Sequence, residues 1–380
     1  MKRPASMAGT DLPASGWGGG STKATIDDVA SAAGVSRQTV TNTLSYPHKV
    51  RAETRDRVRA EIQRLGYRPS AAARSMQSRI SGALGIELRT LGPGYHNGLM
   101  APLLAELSRA AGIRGAHMVT FGEATQESSL AAYEHMWLTR RVDAFVLTDT
   151  ERDDPRPGWL AEQGAPFVSF GRVWNDPAFT RWVDVDGGAG TSLAVEHCRE
   201  RGYEQVAYLG WQPGLSPVMD DRYAGWRTAC TAGGLPVDDL GGTCADDLGS
   251  VTAEALSLID VMGGRGAVVC ATDLIAVGVH HALAVRGLQV GRDVGLVGFD
   301  DSETARLHGL TSVRQPLDLI ADQLVLMLHD AFRGQAAPET SGLLLRPALH
   351  ERGSTRGHDD GRAATPATPT TPTTGTTNGD

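Results

Sequence analysis

From residue 82 onward the chain alternates. Short β-type runs (GALGIEL, DAFVLT, PFVSFG, WVDVD, QVAYLG, GAVVCA, VGLVGF) are separated by helical ones such as MAPLLAELSRAAGIRG, TSLAVEHCRERGY, DRYAGWRTACTAGGL, TAEALSLIDVM and DLIAVGVHHALAVRG. The β-type runs are continuously apolar, so both of their faces must be covered. Apolar strands interleaved with helices specify a parallel, doubly wound α/β sheet. About 270 residues of this pattern is more than one such sheet needs, and two similar lobes are expected.

Ahead of that body lies a different pattern. The stretch IDDVASAAGVSRQTVTNTL, residues 26–44, holds two helical patterns too short to stand alone. Thr25 caps the first with Asp28 three residues on, and Val29, Ala30 and Ala33 share one face. Gly34 supplies the turn. Ser36 caps the second, in which Val40 and Leu44 turn inward while Arg37, Gln38, Thr41 and Asn42 face out. A third helix, TRDRVRAEIQRLG, brings Val58, Ile62 and Leu65 to core spacing and stops at Gly66. Three short helices can cover one another's apolar faces. A helix carrying Arg, Gln, Thr and Asn outward offers donors and acceptors suited to base edges in the B-DNA major groove. Polar residues on an ordinary helical hairpin would give the same pattern, so the spacing alone leaves both open.

Charge favours the first. The net charge of the whole chain is -8, yet between Lys23 and Arg79 eleven Lys/Arg face five Asp/Glu. A small basic module on an acidic body suits a polyanionic partner for one part only. The four cysteines, Cys198, Cys230, Cys244 and Cys270, have no CxxC spacing and read as reduced, buried thiols of a cytoplasmic protein, with neither disulfide nor metal expected. The N-terminal residues lack an apolar stretch of signal-peptide length, and the most apolar later stretch is interrupted by Asp273, His280 and His281, so no membrane segment is expected.

Between the two parts stands LGYRPSAAARSMQSR. With TIDDVASAAGVSRQTVTNTL before it and DRYAGW, VGFDD and LTSVRQP in the body, the chain resembles the LacI/GalR (lactose-repressor/galactose-repressor) family of bacterial transcription regulators from residue 24 to about 350. The resemblance implies a helix-turn-helix domain, a hinge helix and a two-lobed periplasmic-binding-protein-like effector domain. The boundaries expected are a disordered arm over 1–22, the DNA-binding domain over 23–68, the hinge over 69–79, the effector-binding and dimerisation domain over 80–350, and a disordered Thr/Pro-rich tail over 351–380. It further implies a homodimer bound to a palindromic double-stranded DNA operator. In such a complex Ser36, Arg37, Gln38, Thr41 and Asn42 lie on the DNA, and Met76 wedges into the minor groove beside Ala73 and Arg74. Asn42 stands where the family often has arginine, which changes the base expected opposite it.

In the body, the resemblance carries Arg222 of DRYAGW and Asp300 of VGFDD to effector-binding positions, with Thr272 and Gln315 lining the same cleft and Arg172 at its edge. A forked guanidinium plus an acceptor-only carboxylate suits a polyol, and the effector expected is a sugar. Trp174 and Trp211, each after a strand, can stack on a sugar face, although packing explains a tryptophan there equally well. Leu99 and Met100 stand where purine-binding members carry adjacent aromatics. A buried Arg222–Asp300 ion pair would satisfy both side chains without a ligand.

Other chemistries are poorly supported. GGAGTS at 187–192 is no phosphate loop of the GxxxxGK[ST] kind, His280 and His281 are adjacent rather than at metal-pair spacing, and no GxSxG elbow occurs. Neither an enzyme nor a cofactor is expected. A stand-alone sugar-binding protein would need export and would leave the basic module without a role. A regulator that binds DNA only with its ligand is the nearer alternative to a repressor released by one.

Overall fold

The structure, a computed structural model, describes residues 24–67, 81–88, 98–122, 129–174, 179–214, 216–245, 247–332 and 342–357. It divides into two compact units, Met1–Ser81 and Gly82–Asp380.

The first unit is a three-helix headpiece: α1 (Ile26–Ala33), α2 (Arg37–Ser45) and α3 (Ala52–Leu65). The capping box at α1 is present, with the Thr25 N–H donating to Asp28 at 2.7 Å and the Asp28 N–H to Thr25 Oγ1 at 3.3 Å. Gly34 closes α1 at φ 61°, a left-handed turn glycine adopts without strain. Val29, Ala30, Ala33, Val40 and Val58 form the core, with Ile62 and Leu65 packed against it. Leu44 does not turn inward: it is 41 % exposed, and Thr43 is buried in its place. Thr43 and Leu44 flank the direction of Val40 on opposite sides, and the core takes the Thr43 side.

The second unit holds two six-stranded sheets. Lobe 1 is built from β1 (Ala83–Glu87), α4 (Met100–Ile113), β2 (His117–Phe121), α5 (Ser129–Leu138), β3 (Ala144–Leu147), α6 (Pro155–Glu162), β4 (Phe167–Phe170) and β5 (Trp182–Val185). Lobe 2 follows with α7 (Gly187–Glu200), β6 (Val206–Gly210), α8 (Pro217–Ala232), β7 (Gly241–Thr243), α9 (Leu248–Val261), β8 (Gly266–Cys270), α10 (Asp273–Val285), β9 (Val294–Phe299), α11 (Glu303–Leu307) and β10 (Thr311–Arg314). The chain then returns to lobe 1 for α12 (Leu317–Phe332) and β11 (Leu343–Leu345), and ends in lobe 2 with β12 (Ala348–His350). The sheet orders are β11-β5-β4-β3-β1-β2 and β12-β10-β9-β8-β6-β7, and every pairing is parallel except β10 with β12.

The continuous apolar runs are the central strands, as their composition requires. β1, β3, β6 and β9 are buried at every position. In lobe 1 the sheet has a separate core on each face: Leu103, Leu107, Ile320 and Leu324 of α4 and α12 on one, Tyr133, Phe145, Leu160 and Phe167 on the other. In lobe 2 a single cluster runs from Ala194 to Val313. The glycines of GGAGTS open α7, whose first turn is capped by Asp186 accepting from the Ala189 N–H at 2.8 Å.

The fold does not stop at residue 350. Residues 353–355 form a short 3-10 turn in which Ser354 and Thr355 are buried, with Thr355 Oγ1 bonded to Thr311 Oγ1 and His197 Nε2. The expected tail therefore begins too early at 351, because GST packs its small hydroxyls into lobe 2 although nothing apolar marks it. The described chain runs to 357.

Candidate nucleic-acid interface and effector cleft

In the headpiece, Ser36 caps α2, its hydroxyl accepting from the Thr39 N–H at 3.2 Å. Arg37 and Gln38 are exposed and Thr41 and Asn42 half-buried. Arg37 Nε lies 3.0 Å from Asp27, Gln38 Nε2 donates to Asn42 Oδ1 at 3.2 Å, and Thr41 Oγ1 donates back to the Arg37 carbonyl at 3.1 Å. These links order a row of polar side chains along one helix face without burying it. Beyond α2, Tyr46 is 50 % exposed with Lys49 Nζ 4.7 Å from its ring centroid, an aromatic and a cation that pattern reading passed over. YPHK directly after the polar helix was the available signal. Met76, Ala73 and Arg74 lie outside the described residues.

In the body, parallel strands direct their C-terminal ends toward the opposite lobe, and the loops there carry the candidate cleft residues. Arg222 sits in α8, which approaches α7 so closely that a Cβ on Gly225 would lie 2.2 Å from the Gly188 carbonyl. Thr191 Oγ1 donates to the Arg222 carbonyl at 2.7 Å, fixing the helix where the side chain leaves it. The guanidinium lies over the Phe299 ring, 3.6 Å from its centroid, and Nη1 donates to the Ala271 carbonyl. Arg222 Nε is buried and has no hydrogen-bond partner among the described residues.

Asp300 follows β9 with φ 110°, and Asp301 has φ 52°. Such angles are costly for residues with a Cβ and recur at functional sites. They are held by the Asp300 N–H on the Val313 carbonyl at 2.7 Å and the Asp301 N–H on Ser312 Oγ at 3.0 Å. Gln315 Nε2 donates to Asp300 Oδ1 at 2.7 Å, whereas Arg222 Nη2 stands 3.9 Å away. The ion pair that would leave both side chains satisfied is thus a loose one. Thr272 caps α10, accepting from the Ile275 N–H at 3.2 Å. Behind it Asp273 accepts from Ser312 Oγ and the Ser302 N–H, and burial raises its carboxyl above the ordinary range against those bonds.

Arg222, Asp300, Thr272 and Gln315 are all contributed by lobe 2. Lobe 1 brings Arg172 and Trp174, which follow β4. Arg172 Nε bonds Asp184 at 2.8 Å, Nη2 bonds Asp221 of α8, and its Cζ lies 4.4 Å from the Trp174 ring centroid. Burial, then opposition from Arg172, sets Asp184, with a net rise. Trp174 Nε1 is buried without a hydrogen-bond partner among the described residues. Trp211 packs against the lobe 2 core.

Sequence reading missed a buried ionic cluster at the same end of lobe 1. Arg156, 2 % exposed, reaches Asp154 at 2.7 Å, Glu87 at 3.1 Å and the carbonyls of Thr148 and Asp149, while Tyr133 donates to Glu87 at 3.1 Å. It pins the loop after β3, from which Thr150 Oγ1 donates to the Arg172 carbonyl at 2.8 Å. His280 meets His308 edge-on at 5.4 Å, and no group of three or more metal-ligating side chains occurs among the described residues. No helix among them is long and apolar enough to cross a membrane.

A helix-turn-helix headpiece ahead of a two-lobed α/β body is the build of a DNA-binding regulator with its sensing domain on the same chain. The profile of bacterial regulatory proteins of the lacI family matches residues 25–70, and that of periplasmic binding protein-like domains matches residues 195–355. The HTH-type transcriptional regulator CelR of Thermobifida fusca is 30 % identical over 343 residues, 87 % of this chain and 98 % of that protein. A solved CelR–cellobiose complex has a TM-score of 0.62 at 28 % identity, covering 87 % of this chain and 99 % of that one. The lac repressor dimer bound to operator and the anti-inducer ONPF has a TM-score of 0.71 at 26 % identity, covering 88 % and 99 %. The chain belongs to the LacI family of bacterial regulators and is a DNA-binding transcriptional regulator.

Proposed function

We propose that the protein is a homodimeric repressor that binds a palindromic operator and releases it when a sugar enters the cleft between its lobes. On the DNA side, Arg37, Gln38, Thr41 and Asn42 read bases, Ser36 sets the helix start, and Met76 with Ala73 and Arg74 occupies the minor groove between the headpieces. Tyr46 and Lys49 extend this face toward the phosphates.

The observation that carries the sugar is at Arg222. A buried Nε with no acceptor among the described residues, beside a carboxylate held in a strained backbone, is a donor–acceptor pair suited to adjacent hydroxyls. Trp174 Nε1 repeats the pattern from lobe 1. The cellobiose complex of CelR supports the same ligand class. Because Arg222, Asp300, Thr272 and Gln315 share one lobe, an effector held by them alone could not favour one lobe orientation. Engaging lobe 1 at Trp174, where Arg172 lies, is what turns binding into a change of shape.

The test is a thermal-shift screen of mono- and disaccharides, followed by operator release measured with each hit. Linkage sets the scale: about 1–3 kcal/mol of coupling weakens operator binding roughly 5- to 150-fold. A hit that tightens operator binding would establish a corepressor instead. A screen without hits would remove the sugar.

A further inference from the structure

We propose that Arg172 is an internal occupant of the effector cleft, which ties the lobes together through Asp221 and is displaced when an effector arrives. This rests on the cleft assignment above and adds the regulation of that site.

Asp220 ends the first turn of α8 and Asp221 follows it, directly before Arg222. Each meets an arginine of lobe 1: Arg152 lies 3.7 Å from Asp220, and Arg172 is hydrogen-bonded to Asp221. One helical turn therefore carries both the lobe-to-lobe ties and the arginine assigned to the effector. Arg172 also covers one face of the Trp174 ring, the kind of surface on which a sugar ring stacks. Its Nε and Nη2 are committed to Asp184 and Asp221, one carboxylate in each lobe. The buried cluster around Arg156 holds the loop that fixes the Arg172 backbone through Thr150, so the side chain alone must move. Asp184 keeps its hold within lobe 1; Asp221 is the contact that is lost. An effector stacking on Trp174 thus trades places with Arg172 and breaks the tie between lobes in the same step.

The Asp221 side chain is 37 % exposed, so Asp221→Asn leaves the fold intact and removes only the tie. Spin labels at Leu138→Cys in lobe 1 and Thr228→Cys in lobe 2, both exposed positions, report the lobe separation in protein diluted with unlabelled chain. The four native cysteines are buried and stay unlabelled. A narrow distance distribution is expected at low salt, broadening in about 1 M salt as the ion pairs are screened. Asp221→Asn should be broad already at low salt, with the open fraction raised about fivefold, the loss of one partly exposed ion pair. Asp220→Asn should give a smaller change, and Asp221→Glu should restore the narrow distribution. Acrylamide quenching assigned to Trp174 by comparison with Trp174→Phe should rise about twofold in Arg172→Gln, as the ring is uncovered.

A wild-type distribution that is broad at low salt, or one unchanged in Asp221→Asn, would overturn the tie. Unchanged quenching would overturn the occupancy of Trp174. None of these measurements uses a sugar, so they decide the tie and the cover over Trp174 apart from the effector assignment.

Discussion

The two lobes share a strand order, and one buried cluster in each is built on a different principle. In lobe 1 it is ionic: Arg156 among Glu87, Asp154 and Tyr133, all buried. In lobe 2 it is aromatic, with Tyr208, Tyr223 and Trp226 at centroid distances of 5.4–5.8 Å and Trp226 Nε1 donating to the Val206 carbonyl. An ionic cluster fixes direction because each bond needs its partner at one angle, whereas an aromatic cluster fixes volume. That division matches the proposed roles. Lobe 2 is the packed platform carrying Arg222 and Asp300, and lobe 1 aims two arginines, Arg152 and Arg172, across the gap.

The sharpest way to break the comparison is to remove each cluster's centre. Arg156→Met should cost about 3–5 kcal/mol by stranding buried carboxylates, and Trp226→Ala a similar amount by leaving a cavity. Urea titrations across pH separate the causes. Acidification protonates stranded carboxylates and should recover part of the Arg156→Met loss, while Trp226→Ala should show no such recovery. Equal pH behaviour in the two variants would end the distinction between charge and packing.

Function offers the next contrast. Asp300→Asn, in lobe 2, should leave operator binding nearly intact and abolish effector-driven release, a coupling of about 1–3 kcal/mol. Arg172→Gln, in lobe 1, should keep effector binding and reduce the release it causes. Release in Asp300→Asn at the wild-type effector concentration would show that lobe 2 is not the anchor.

A smaller effect is expected at His197, buried in lobe 2 against Thr355. Burial lowers its pKa from the ordinary 6.5. As pH falls below that value the unfolded chain takes up a proton that the folded chain resists, so stability declines on acidification. His197→Gln should flatten the melting temperature between pH 7 and pH 5.5, and an unchanged slope would assign the decline elsewhere. Least of all, deleting residues 358–380 should leave the dimer and its stability unchanged by light scattering and calorimetry. Extending the deletion through Thr355 should destabilise lobe 2, because the Thr311 and His197 contacts go with it.

What was legible in the sequence follows the physics of burial. Most central strands announced themselves because both faces are covered and the run must be apolar throughout. The four strands at the sheet edges, β2, β7, β11 and β12, went unseen, as did the interior β10: HMVTF, GGT, LLL, ALH and TSVR are too short or too mixed to stand out. Glu87 and Arg156 were invisible for a related reason, since a buried charge looks like a surface charge until its partners, 46 and 69 residues apart in the chain, come together. The cleft residues were named from the resemblance. Their distribution between lobes was not, because lobe membership depends on where the chain crosses over.

That crossing has a consequence for how the protein comes into being on the ribosome. The described headpiece, residues 24–67, is complete long before any sensor exists. Lobe 1, begun at β1, waits for α12 to cover its Leu103–Leu107 face and for β11 to finish its sheet, and these emerge only after the whole of lobe 2 up to β10. Until residue 345 is synthesised the nascent chain can present a DNA-binding surface but has no finished clamp to answer a signal, and its half-covered first sheet is open to wrong partners.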